Sequence, residues 1–211
     1  MYYIQDVKIA IDANGNGLVV WTQFDNRSNN VWYSRCTAGS NWGTPTLIST
    51  NNNPNNRYSG NYDPQIAMDA GGNALLVWNY QDQMGNVSIW SNRYNFGSGW
   101  GEAALIKTDV NTVNAYNPQI TIDASGNALA VWYQLDYYQI DGSTRTNIWS
   151  NRYTVGNGWD KATLIGSDAS DPSTPDRFSS PQIAIDPNGN ALAVWMKGIG
   201  TRSDIASNRF E

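Results

Sequence analysis

The sequence predicts an all-β protein, a β-propeller of four four-stranded blades of about 54–63 residues each. Three observations lead there. One segment is written four times, as "VKIAIDANGNGLVVW" (7–21), "PQIAMDAGGNALLVW" (64–78), "PQITIDASGNALAVW" (118–132) and "PQIAIDPNGNALAVW" (181–195). A repeat of that period is too long for a solenoid coil and close to the size of a propeller blade. Each copy is followed by further short β-type runs separated by Gly- and Asn-rich turns, the pattern of strands joined by tight polar connections.

Within each copy the first strand alternates, as in Gln182–Asp186, where Ile183 and Ile185 are spaced by small or polar residues. The second, Asn190–Trp195, is apolar on both faces, as suits a strand inside a stack. Between them Asp186-Pro187-Asn188-Gly189 supplies a backbone-capping carboxylate, a preset φ and a positive φ in the order a tight turn needs. The third strand reads "VWYSRCTA" (31–38), "SIWSNRYNF" (88–96), "NIWSNRYTV" (147–155) and "DIASNRFE" (204–211), and a fourth reads "NWGTPTLI" (41–48), "GWGEAALI" (99–106) and "GWDKATLI" (158–165). The blades are therefore expected at about 7–48, 64–106, 118–165 and 181–211, in a single domain over 1–211. The fourth copy lacks its last strand, so the N-terminal residues 2–5 are expected to pair with the strand containing Ile205 and close the ring.

Composition narrows the chemistry. The chain has 211 residues, a formal net charge of −5 and no histidine, which removes Ser-His-Asp triads, histidine acid–base catalysis and most zinc sites. No metal site and no cofactor is expected. No run of Lys or Arg could neutralise a phosphate backbone, so nucleic acid is not an expected partner, and no apolar stretch is long enough for membrane insertion. Cys36 stands where the other copies have Tyr94, Tyr153 and Phe210, and reads as a small core residue.

The repeated tryptophans Trp78, Trp132 and Trp195 follow an Ala-x-Ala pattern on the same strand face, with Leu76 in the second place before Trp78, an arrangement suited to packing between blades. Arg35, Arg93, Arg152 and Arg209 end the third strands beside the turn aspartates Asp12, Asp69, Asp123 and Asp186, and a structural Arg–Asp contact is expected. The loops at the opposite end differ between copies. They carry the candidate ligand-binding residues Tyr58, Tyr62, Tyr80, Asp82, Tyr116, Asp136, Tyr137 and Tyr138, joined by Trp90 and Trp149 at the start of their strands. Aromatic planes beside amides and carboxylates suit a sugar surface, and equally an adaptable protein-binding one.

The combination "PQIAxDxxGNALAVW…IWSNRY…GWG" resembles the repeat of uncharacterised bacterial β-propeller proteins, and is similar to lectin-type propellers and, more distantly, to sialidase-like ones. The resemblance implies an extracellular or cell-surface location. The sialidase Asp-box spacing is not reproduced, so no catalytic residue is carried over. The reading that follows is a non-catalytic recognition propeller with a glycan or protein ligand. The alternatives are a structural or protein-interaction module and a glycosidase-like enzyme built on two carboxylates.

Overall fold

The computed structural model describes residues 3–25, 28–49, 59–107, 114–138, 143–167, 177–199 and 202–211. They form four antiparallel sheets, with no helix among the described residues. Sheet 1 is β1 (Tyr3–Ile11), β2 (Gly17–Phe24), β3 (Asn29–Cys36) and β4 (Thr46–Ser49), paired in that order. Sheet 2 contains β5 (Gly60–Met68), β6 (Ala74–Gln81) and β7 (Val87–Asn95), with β8 (Gly99–Trp100) and β9 (Ala104–Leu105) both on β7. Sheet 3 repeats this with β10 (Ala115–Ile122), β11 (Ala128–Tyr138), β12 (Ser143–Thr154), β13 (Gly158–Trp159) and β14 (Thr163–Gly166). Sheet 4 has β15 (Arg177–Ile185), β16 (Ala191–Ile199) and β17 (Arg202–Phe210). The expected continuous fourth strand is thus two short pieces in sheets 2 and 3, interrupted where the chain leaves and rejoins the edge of the third strand.

The sheets stack face to face through three apolar interfaces. Val20 and Val31 of sheet 1 meet Leu76 and Trp78 of sheet 2; Val77 and Ile89 of sheet 2 meet Ala130 and Trp132 of sheet 3; Val131 and Ile148 of sheet 3 meet Ala193 and Trp195 of sheet 4. Each interface sets a tryptophan and a small or branched neighbour from one sheet against a pair of β-branched side chains from the sheet before it. The apolar character of both faces of the second strand follows directly, since that strand is covered on each side. The first strands β1, β5, β10 and β15 lie against one another in sequence, so they form the inner edge of the stack.

Two expectations are corrected here. Residues 3–5 pair with β2, Tyr3 opposite Phe24 and Gln5 opposite Thr22, and not with the strand containing Ile205. They are the start of the first sheet's own inner strand, and no contact of comparable extent joins sheet 4 to sheet 1 among the described residues. The ring is open. Because the leading face of sheet 1 is uncovered, Cys36 is only half-buried; its thiol lies 3.1 Å from the Ser40 carbonyl instead of filling a core.

The turns between first and second strands share one chemistry. Asp69 Oδ1 accepts the N–H groups of Gly71 and Asn73, both at 2.9 Å, and Oδ2 accepts from Asn73 Nδ2 at 2.9 Å; Asp12, Asp123 and Asp186 repeat the pattern. The turn asparagine then receives the neighbouring turn, Asn73 Oδ1 from the Phe96 N–H at 3.0 Å. The turn aspartate is therefore satisfied by its own asparagine, and among the described residues no arginine comes within ion-pair distance of it. Arg35 instead lies over the Phe96 ring of the next sheet at 4.7 Å, and Arg93 over Tyr153 at 5.2 Å. Arg35 and Arg93 tie sheet to sheet through aromatic faces, a contact that does not require stripping water from an ion pair.

Candidate functional site

The expected ligand-binding residues do not converge. Tyr58 lies outside the described residues, and so do the side chains of Asp136, Tyr137 and Tyr138, which end β11 opposite Arg145, Thr144 and Ser143. Asp82 is used locally: Oδ1 accepts from Met84 and Asn86 N–H at 2.8 and 2.9 Å and Oδ2 from Asn86 Nδ2, the same turn as at Asp12. Burial and the nearby Asp82 raise the Tyr80 phenol, whose ring meets Trp90 edge-on at 5.9 Å. Trp90 and Trp149 pack against the apolar interfaces, and Tyr62 lies over Gly60. Of these residues only Tyr116 belongs to the cluster described next.

That cluster is on the inner strands. Each first strand carries a bulge, between Gln5 and Lys8, Tyr62 and Gln65, Tyr116 and Gln119, and Ser179 and Gln182. The bulged residues Asp6, Asp63, Asn117 and Ser180 have φ of 53, 49, 51 and 52°. Left-handed backbone at a residue with a Cβ costs on the order of 1 kcal/mol or more, and here it occurs four times at one repeat position. A proline follows in three of the four; proline within a strand is confined to edges and bulges, so Asp63-Pro64 is itself a bulge signal. The bulge turns the side chain off the strand's regular alternation.

In sheets 1 and 2 the redirected side chains are carboxylates. Asp6 Oδ2 accepts from Thr22 Oγ1 at 3.3 Å and from the Asp63 backbone N–H at 3.4 Å, so the two bulges touch across the sheet boundary. Asp63 Oδ1 accepts from Gln65 Nε2 at 2.8 Å. Burial, and then the Asp6 charge, raise Asp63 above the ordinary carboxyl value, against the opposing pull of Gln65 and Lys8. From sheet 3, Tyr133 stands opposite Tyr116, ring centroids 5.4 Å apart and inclined by 31°. Burial pushes the Tyr133 phenol up first, with Tyr116 and Asp63 adding to it, so its O–H is retained as a donor near the same carboxyl. Three sheets thus bring a carboxyl raised above its ordinary value, a second carboxyl, the Lys8 side chain and a tilted pair of phenol rings to one place.

Sequence reasoning missed Asp6, Asp63 and Tyr133 because they lie inside or beside the repeat, where uniformity reads as scaffold. The signal present was the residue after each repeat tryptophan, Thr22, Asn79, Tyr133 and Met196, which changes in every copy and pairs with the residue just before the bulge.

Among the described residues no group of three or more Cys, Asp or Glu is placed to hold a metal ion. Among the described residues no helix is long and apolar enough to cross a membrane.

No family model and no curated protein matches the chain. Solved structures do. A protein of unknown function from Dyadobacter fermentans DSM 18053 is similar with a TM-score of 0.67 at 16% identity, over 98% of this chain and 66% of that one. The Hadza microbial sialidase Hz136 gives 0.62 at 12%, over 97% and 44%. The α-L-arabinofuranosidase arb93a from Fusarium graminearum gives 0.62 at 15%, over 98% and 61%. The likeness establishes a propeller-like all-β fold, and the chain spans less than two thirds of each of these proteins. It also corrects the expectation of a non-catalytic recognition module without enzymatic activity: two of these three proteins are carbohydrate-active enzymes, as are other solved neighbours of the same fold.

Proposed function

We propose that the four sheets are consecutive blades of a larger propeller and that the chain acts on carbohydrate, cleaving a glycosidic bond at the inner bulge cluster. The observation that carries this reading is that the Asp63 backbone N–H donates to the Asp6 carboxylate, which places two carboxyl-bearing bulges of different burial on adjacent inner strands. Glycoside cleavage needs one carboxyl that keeps a proton for the leaving oxygen and one that stays charged, and unequal burial of a pair supplies that division. Asp63, the more buried of the two and raised above the ordinary carboxyl value, is assigned as the acid; Asp6, exposed and hydrogen-bonded to Thr22, is assigned as its partner. Tyr116 and Tyr133 offer ring faces for the apolar side of a sugar, and the Tyr133 hydroxyl donates to its oxygens. The carbohydrate-active neighbours support the substrate class, and a cell-surface or extracellular location fits such substrates.

The test is turnover of sialosides, arabinofuranosides and arabinan oligosaccharides, with Asp63→Asn and Asp6→Asn compared to wild type by product chromatography. Loss of the acid should lower the rate by about 10²–10⁴-fold. No turnover by the wild type on any of these substrates, or equal rates in the variants, would overturn the assignment.

A further inference from the structure

The two ends of the stack are unlike each other and match each other. At each internal interface the trailing face of one sheet presents Leu18 and Val31, Leu75 and Ile89, or Leu129 and Ile148, all between 0 and 2% exposed. The same two positions on the trailing face of sheet 4 are Leu192 and Ile205, at 46% and 73%. The leading faces meet these with Ile66 and Met68, Ile120 and Ile122, or Ile183 and Ile185, all half-buried. On sheet 1 the equivalents are Ile9 and Ile11, 64% and 65% exposed, with Trp42 beside them where the next sheet packs a half-buried Trp100 against Tyr33. Both ends are built as interior surface and left open.

A cavity of about 580 Å³ lies on the open end of sheet 4, lined by Ala184, Asp186, Leu192 and Arg209. Its repeat equivalents in sheet 1 are Ala10, Asp12, Leu18 and Arg35. There the following sheet fills the space: Tyr94 and Met68 pack on Leu18, Phe96 lies under Arg35, and Gly72 approaches Asp12.

We infer that the leading face of sheet 1 in one copy of this chain docks on the trailing face of sheet 4 in a second copy, continuing the stack across the boundary. The three internal interfaces supply the geometry, and no new chemistry is required. The contact is head-to-tail, so each copy retains one free end, and association continues until the assembly closes on itself or extends. It is weaker than the internal interfaces at one point: Arg209 meets Cys36 and Ala38 where Arg35 and Arg93 meet rings.

Light scattering and sedimentation across a concentration series test this. Wild type should rise above the mass of one chain as concentration rises, and the Cys36 thiol, on the docking face, should react more slowly with a maleimide as it does so. Ile9→Lys with Ile11→Lys blocks the leading face, and Leu192→Lys with Ile205→Lys the trailing face, all four at solvent-exposed positions. Each double variant alone should stay at one chain, while their equimolar mixture should reach two chains and stop. A wild type that remains at one chain up to millimolar concentration with unchanged Cys36 reactivity, a mixture that stays at one chain, or variants that assemble like wild type would each overturn the inference. The mass readout is separate from turnover, so this can fail while the carbohydrate assignment stands.

Discussion

One repeat position serves as an internal ruler for the open ring. Val31, Ile89, Ile148 and Ile205 occupy it in the four sheets; the first three are fully buried and the last is 73% exposed. Truncating a buried isoleucine to alanine removes apolar contacts and leaves a cavity, which costs about 2–5 kcal/mol. Ile148→Ala should fall in that range. Ile205 has about a quarter of its surface covered, and full burial of such a side chain is worth about 2 kcal/mol, so Ile205→Ala should cost about 0.5 kcal/mol. Urea unfolding followed by tryptophan fluorescence, at protein concentrations low enough to hold the chain as a monomer, measures both variants side by side. The gap between them should exceed about 1.5 kcal/mol and should narrow as concentration rises and a second copy covers Ile205. Equal costs in the dilute monomer would mean that sheet 4 is covered within one chain. The reasoning about the open end would then be wrong.

Gly126 and Gly156 both have positive φ, 84 and 87°, yet an added Cβ at Gly126 would sit 3.1 Å from Asp69 Oδ2 and 3.2 Å from Val155, whereas at Gly156 it meets nothing. Gly156→Ala should therefore cost about 1 kcal/mol of backbone strain, and Gly126→Ala about 1–3 kcal/mol more from overpacking between turns of adjacent sheets, read as the difference in urea midpoints. Asp12 is pushed up by burial but held down on balance by Asn16, Asn14 and Arg35, and Asp186 is held down chiefly by Asn190. Their contribution is complete above the ordinary carboxyl value of 3.8 and is lost as pH falls through the lower folded values, so Tm should drop steeply below about pH 4, and less steeply in Asp12→Asn. Asp63 has the opposite sign: its raised value favours the folded state below pH 3.8 and penalises it as pH rises through the folded value. Asp63→Asn should gain Tm relative to wild type between pH 3 and 7, and turnover by the wild type should have an alkaline limb set by Asp63.

What the sequence conveyed well was whatever repetition enforces. Asp186-Pro187-Asn188-Gly189 specifies its turn locally, because a carboxylate, a preset φ and a residue free to take positive φ act over four residues. The pairing of Trp132 with small neighbours follows from strand alternation, also a local rule. The end conditions were not legible, since "YYIQ" pairs equally well by pattern with either of two strands; only the bulge at Asp6 extends β1 back to Tyr3 and fixes its register on β2. The arginine contacts were only partly legible: Arg35 lies close enough to lower the Asp12 carboxyl but makes no ion pair with it. Arg35 sits near Asp12 along its own sheet, but Asn16 had already filled the carboxylate, which charge matching alone does not reveal.

The strained bulges sharpen where chemistry can reside. If left-handed backbone were needed only at an active site, Asn117 and Ser180 would have no reason to adopt it; they do so at φ values within a few degrees of the aspartates. The bulge therefore belongs to the architecture of the inner edge, and its strain is repaid four times by the stack. Glycine would relieve that strain at any of the four positions, yet none has it. What distinguishes the copies is the side chain at each bulge and the residue that pairs across the ladder just before it: Asp6 with Thr22, Asp63 with Asn79, Asn117 with Tyr133, Ser180 with Met196. Acid–base capacity is confined to the first two and aromatic surface to the third, while the fourth pairs a small hydroxyl with a thioether. A repeated scaffold has in this way produced a graded inner wall, and exchanging Asp63 with Ser180 in a double variant should remove the acid function from sheet 2 while leaving the stability of the stack within about 1 kcal/mol, because the backbone of both positions is already the same.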